Sequence, residues 1–278
     1  MLRIKNKLSV IHDDNSVFKE YSNEAIDFDR DTFTIDLNQD DDYLYVGFEK
    51  PINMFYVELG TANINAGSFS GEYYNGTAWA SLSGFYDETA SLTRSGFVQW
   101  ERNQTTEESL AVNSITKYWY RFRPSVTHSS TIVNGLNIIF ADDQDLKREY
   151  FEASELLPEN ETSHILTHVA ARDHIIQHLR NSGHFKRNVN SGVNKDITVF
   201  DILDVGQIKL AATYLALSKI FLSVQDSSDD VFLEKSRHFK SLFGSAIKTF
   251  YLDLDSDDDG IHDREEQLSS ATGRLLRR

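Results

Sequence analysis

From residue 1 to about 140 the apolar positions come as short runs of aromatic and β-branched residues, separated by Gly, Asn and Ser clusters. That period of two predicts strands rather than helices. Tyr43 to Phe48, Asn53 to Leu59, Gly96 to Trp100, Lys117 to Phe122 and Gly135 to Phe140 are the clearest runs. Asn75-Gly76, between Tyr73-Tyr74 and Ala78 to Ala80, predicts a tight hairpin. The opening stretch, Met1 to Leu8, alternates charged with apolar residues and reads as a first strand, not as the uninterrupted apolar core of a signal peptide. About eight or nine short strands with frequent turns predict an antiparallel β-sandwich over residues 1–140.

Residues 141–163 read as an acidic linker, and the period then changes to 3.6. Pro158 and the cap candidates Thr162 and Ser163 mark a helix start. Ile165, Leu166, Val169, Ile176 and Leu179 then recur at helical spacing as far as Gly183. A second helix is expected from about Val205 to Ser223 and a third from about Ser228 to Leu252, whereas Ile197 to Leu203 suits either strand or helix. The expected architecture is therefore two domains, β then α. The β-sandwich is followed by a small helical bundle over residues 164–267, which ends in an EF-like calcium loop and a basic tail, residues 268–278.

Composition narrows the function. At 278 residues the chain is long enough for two cores, and no apolar run approaches a membrane span. The absence of cysteine removes disulfides, thiolate metal sites and a cysteine nucleophile. A formal charge of −15 opposes broad nucleic-acid binding, although the last eleven residues contain Arg274, Arg277 and Arg278 and no acid. A basic, leucine-containing tail (Arg274, Leu275, Leu276, Arg277, Arg278) on an acidic chain suggests a docking peptide, or else a solvated terminus.

The sharpest motif lies between residues 255 and 266. Asp255, Asp257 and Asp259 alternate, Gly260 permits a sharp turn, and Asp263 and Glu266 follow at the spacing of a calcium loop. Ile261 would contribute its carbonyl. The expected ligand set is thus Asp255, Asp257, Asp259, Ile261, Asp263 and Glu266 around a structural Ca²⁺. Ile261 stands one place early for an apolar residue that pairs two EF-hands, which points to a lone EF-like or dockerin-like loop. An acidic, solvated turn is the plain alternative.

Other constellations are less specific. His164, His168, His174 and His178 fall within an arc of roughly 120° on the first helix. Two such pairs at i, i+4 can hold zinc, but no third ligand is fixed, so a polar helix margin is the better expectation. Such a margin would make assembly sensitive to pH, because charged histidines repel. Asp201 with Asp204, and Glu107 with Glu108, are carboxylate pairs outside any motif. No nucleophile elbow, P-loop or dinucleotide turn occurs, and the expectation is a protein that is not an enzyme. Arg121 and Arg123 on one strand could take an anion, although strand-face arginines ordinarily keep a sheet soluble.

Two resemblances add to this reading. Tyr73 to Trp79, Asp87-Glu-Thr89, Leu92 to Trp100 and Tyr118 to Phe122 resemble jelly-roll modules of tailed-phage structural proteins, similar in build to discoidin or galactose-binding sandwiches. Such modules bind sugars or pack against neighbours. An exposed cluster from Tyr73, Tyr74, Trp79 and Trp100 would favour sugar, and a buried set would favour scaffold.

The helical half resembles phage head–tail connector (adaptor) proteins, through Ala211 to Leu217, the long helix that follows, and the Leu252 to Gly260 ending with its tail. This implies a virion neck component, made in the host cytoplasm. It would form a closed homo-oligomeric ring of about twelve copies beneath the portal protein. Other neck and tail proteins would be partners, and the genome would pass through without specific binding. The tail from Arg274 to Arg278 would dock between portal subunits. A minimal adaptor lacks the appended sandwich. The alternative expectation is a tail or fibre module whose sandwich recognises surface carbohydrate.

Overall fold

Strand Ile115–Pro124 carries aromatic residues at odd and even positions alike, and the sandwich is arranged around it. The computed structural model describes residues 8–26, 28, 31–101, 106–159, 161–182, 185–187, 194–202, 204–225, 231–249, 251–253 and 267–269. The chain divides into two units, Met1–Ile138 and Ile139–Arg278.

The first unit holds β1 (Leu8–Asp14), β2 (Val17–Glu20), a short helix α1 (Ser22–Ile26), β3 (Phe33–Ile35), β4 (Tyr43–Phe48), β5 (Met54–Thr61) and β6 (Phe69–Tyr74). β7 (Trp79–Ser81), β8 (Tyr86–Asp87), β9 (Gly96–Gln99), β10 (Ser109–Val112), β11 (Ile115–Pro124) and β12 (Thr131–Asn137) complete it. One sheet runs β2-β1-β4-β11-β6-β7, with β10 also paired to β11, and the other runs β3-β12-β5-β9-β8. The expected antiparallel sandwich is present. The Asn75-Gly76 hairpin also forms, with Tyr74 opposite Trp79.

Alternation along β11 sends Tyr120 and Phe122 toward the other sheet. There Phe122 meets Phe55 at 5.3 Å between ring centroids, and Tyr120 meets Trp100 at 4.6 Å. Phe48, Leu44 and Val46 of β4 are buried with them. The Tyr120 hydroxyl accepts the amide of Ile52 at 3.0 Å and donates to the Glu107 carboxylate, which gives that acid a structural partner.

The second unit begins with a folded segment where an acidic linker was expected. Asp142 and Asp145 form a reciprocal capping box that starts α2 (Asp143–Glu149), and a 3₁₀ turn follows at Phe151–Leu156. Capping, which satisfies free helix-end amides, explains why so polar a stretch is helical. Then come α3 (Ile165–Asn181), the short pair β13 (Phe185–Arg187) and β14 (Asn194–Asp196), α4 (Gly206–Ser223) and α5 (Val231–Thr249). The ambiguous stretch before α4 contains a 3₁₀ turn at Val199–Asp201 capped by Thr198, whose amide and hydroxyl both bond the Asp201 carboxylate.

The three long helices make the expected bundle, with α4 packed on both α3 and α5. Ala211, Ala212 and Ala216 of α4 are buried and let the backbones approach. Phe221 stacks on Phe239 of α5 at 5.6 Å. The third helix does not reach Leu252. It ends at Thr249, and β15 (Tyr251–Asp253) pairs with β16 (Gln267–Ser269), placing the buried Leu252 opposite Leu268 in the ladder. Ladder pairing of these backbone groups replaces the last helical turn.

Candidate functional site

The outer face of a sandwich sheet ordinarily meets water and is polar. The outer face of the seven-stranded sheet departs from that rule. Ile11, Tyr45, Val112 and Trp119 form a buried apolar layer on it, and Tyr43, Trp79, Leu110 and Ile115 pack against this layer while half-buried. Trp119 can lie flat there because β4 has Gly47 opposite it. Its indole N–H is satisfied by the Ile115 carbonyl at 3.1 Å.

The rings are arranged edge to face, the preferred geometry for aromatic quadrupoles. Tyr45 meets Trp79 at 5.6 Å and Trp119 at 6.2 Å, and Tyr74 meets Trp79 at 5.9 Å. At the sheet edge, Phe18 approaches Tyr45 at 6.5 Å and is 41% exposed.

Two guanidinium groups are built into this surface. Arg121 lies 4.4 Å from the ring centroids of both Tyr43 and Trp79, and its Nε donates to Glu72 Oε2 at 2.6 Å. A cation clamped between two aromatic faces and held by a carboxylate has little rotational freedom left. Arg123, two residues along the strand, lies 5.4 Å from the Tyr43 centroid. It donates to the backbone carbonyls of Gln39 (2.8 Å) and Asp40. Burial pushes the Tyr45 phenol up, against the bond it receives from Arg121.

The four aromatics considered as a sugar cluster divide. Tyr73 and Trp100 are buried in the core, whereas Tyr74 and Trp79 are half-buried on this outer face. Tyr43, Glu72 and Arg121 complete the face but sit far apart in the sequence. The available signal was aromatic residues at both parities of β11, which implies packing on both faces of the sheet.

The remaining expected sites fare differently. Asp255, Asp257, Asp259, Ile261, Asp263 and Glu266 lie outside the described residues, as do Arg274, Leu275, Leu276, Arg277 and Arg278. What is described is the β15–β16 ladder on either side of residues 254–266. A strand therefore follows where an EF-hand or dockerin loop would run into a helix. The histidines of α3 separate into two pairs. His164 bonds the Ala153 carbonyl at 2.9 Å and His168 bonds Asp143 Oδ1 at 2.9 Å, while His174 and His178 edge onto Phe243. Among the described residues no group of three or more His, Asp or Glu side chains could hold a metal ion. No helix among them is long and apolar enough to cross a membrane.

No family model matches the chain, and no curated protein matches it by sequence. Among solved structures, a pectin-binding carbohydrate-binding module is similar at 12% identity, over 42% of this chain and 77% of that one, with a TM-score of 0.27. Chitosan-binding module 1 of a chitosanase/glucanase from Paenibacillus sp. IK-5 is similar at 11% identity, over 48% of this chain and 93% of that one, with a TM-score of 0.28. Likeness at this level carries no assignment for this chain.

Proposed function

We propose that the first unit is a carbohydrate-binding module whose binding surface is the outer face of the seven-stranded sheet. The observation that supports it is the half-buried pair Tyr43 and Trp79 with the Arg121–Glu72 ion pair fixed between them. A pyranose has an apolar C–H face and an equatorial rim of hydroxyls. The rings offer a stacking surface for the first, and the guanidinium and carboxylate offer donors and acceptors for the second. Preorganised groups of this kind lose little freedom on binding. The role is binding, not catalysis.

The test is titration calorimetry of the full chain with a panel of neutral and charged oligosaccharides, beside a Trp79→Ala variant whose fold is checked by circular dichroism. We expect at least a tenfold loss of affinity, about 1.4 kcal/mol, in the variant. A folded variant that binds as the parent does would overturn the reading.

A second reading rests on the other unit. The bundle of α3, α4 and α5 occupies the segment that resembles a head–tail adaptor, which would make the chain a virion neck component with the sandwich displayed on it. In this reading the chain forms a ring on the portal protein, and the basic tail docks there. Labelling purified particles with antibody to residues 1–138 checks it, since label away from the head–tail junction excludes it.

We also propose that residues 255–266 bind Ca²⁺ through Asp255, Asp257, Asp259, Ile261, Asp263 and Glu266. Support comes from their spacing and from the ladder that holds the two flanks together. Chelator should lower the melting temperature of the parent and leave a Glu266→Gln variant unchanged. Equal responses of the two would remove calcium from the account.

A further inference from the structure

The charge on this face points to the kind of sugar. We infer that the surface takes an anionic glycan, one bearing carboxylates, and that Arg123 is the residue that selects it; this rests on the carbohydrate-binding reading. Arg121 already has a carboxylate partner in Glu72. Among the described residues Arg123 has none within ion-pair reach: its bonds go to the carbonyls of Gln39 and Asp40 and, at 3.5 Å, to the Tyr43 hydroxyl, all neutral. Two nearby acids on the neighbouring strand and loop are engaged elsewhere. Asp13, opposite Tyr43 in the ladder, accepts the Ser16 amide at 2.8 Å. Asp42 accepts the amides of Asn15 and Asn38 at 3.2 and 2.8 Å.

In a chain of formal charge −15, a guanidinium fixed by neutral acceptors beside an aromatic platform is a poor solubility device. A guanidinium has five N–H donors, so these three bonds leave two for a carboxylate. Because the same Tyr43 ring touches Arg121 and Arg123, a sugar stacked there would bring its carboxylate beside the unpaired cation. An uncharged sugar would gain the stacking alone.

The experiment compares oligogalacturonates with their methyl esters, which keep the rings and remove the charge, and with cello-oligosaccharides as a second uncharged set. Calorimetry on the full chain should show the acids bound at least tenfold more tightly than the esters, with the advantage shrinking as salt is raised. Arg123→Gln should erase that advantage, so that acid and ester bind the variant alike. If that variant is unfolded, the salt series on the parent chain decides alone. Equal binding of acid and ester by the parent overturns the anionic preference while the carbohydrate reading stands. An advantage that persists in folded Arg123→Gln overturns the role of Arg123. No binding of any of the three sets overturns both the preference and the reading beneath it.

Discussion

Gly47 lies directly beneath the indole of Trp119, and a Cβ placed on it would come within 2.6 Å of the ring. The contact is with a ring packed in a buried layer, not with the free end of a flexible chain, so it cannot be relieved cheaply. Gly47→Ala should therefore destabilise the first unit by about 1–3 kcal/mol through overpacking. Urea unfolding followed by tryptophan fluorescence measures it. An unchanged midpoint would mean that Trp119 is free to move.

The buried imidazole of His128 bonds Ser91 Oγ at 2.8 Å and stands edge-on to Phe69. Burial pushes its pKa down from 6.5 to about 4. A depressed histidine is neutral in the folded chain, so the unfolded chain takes up the proton first as pH falls. Its contribution is full above about pH 6.5 and is lost progressively down to about pH 4, a change of roughly 3 kcal/mol. Denaturant titrations across that window should show a flatter pH slope for His128→Gln than for the parent. Parallel slopes would refute the assignment.

In the helical unit the Asp143 carboxylate accepts from His168 Nε2 at 2.9 Å and from the His164 amide. Burial raises its pKa, but the bond and charge of His168 outweigh that and hold it below 3.8. The sign is the same as for His128, but the cause differs, a charged form held by a partner and not a neutral form favoured by burial, and the window lies at lower pH. This stability is present above about pH 4 and is lost as pH falls through the folded value. Asp143→Asn should cost about 1.5–3 kcal/mol at neutral pH, the range for a bond to a charged group. Circular dichroism at 222 nm reads it, and a variant as stable as the parent would show the pair to be idle.

α4 and α5 exchange two buried hydrogen bonds. The Ser218 hydroxyl donates to the Ser236 carbonyl at 3.0 Å, and the Ser236 hydroxyl donates to the Ser218 carbonyl at 2.8 Å. Each serine to alanine change should cost about 1 kcal/mol, and because the two hydroxyls lie 3.4 Å apart the double change should depart from the simple sum. A double variant matching the parent would mean that packing alone sets the helix pairing.

Regular periodicity made much of this fold legible. Tyr43 to Phe48 reads as a strand and is β4 residue for residue, and α4 starts within one residue of its expected position. Asn75-Gly76 was visible as a turn because glycine advertises a positive φ. Asn15-Ser16 and Asn113-Ser114 turn their hairpins with φ values of 48° and 71°, and 46° and 66°, yet carry no glycine to mark them. α2 was hidden because its stability comes from a cap, not from an apolar stripe. The outer aromatic face was hidden for a different reason. Parity along β11 cannot say which aromatic faces the core when both faces carry one, and the partner that fixes Arg121 is Glu72 on another strand.

The ladder between β15 and β16 sets residues 253 and 267 opposite each other. The two ends of the segment between them are therefore fixed as neighbours by the ladder itself. Closing a loop whose ends are already paired costs chain entropy that grows only slowly with the loop's length. A change in that length is thus met by the loop's own entropy before it is felt in the ladder.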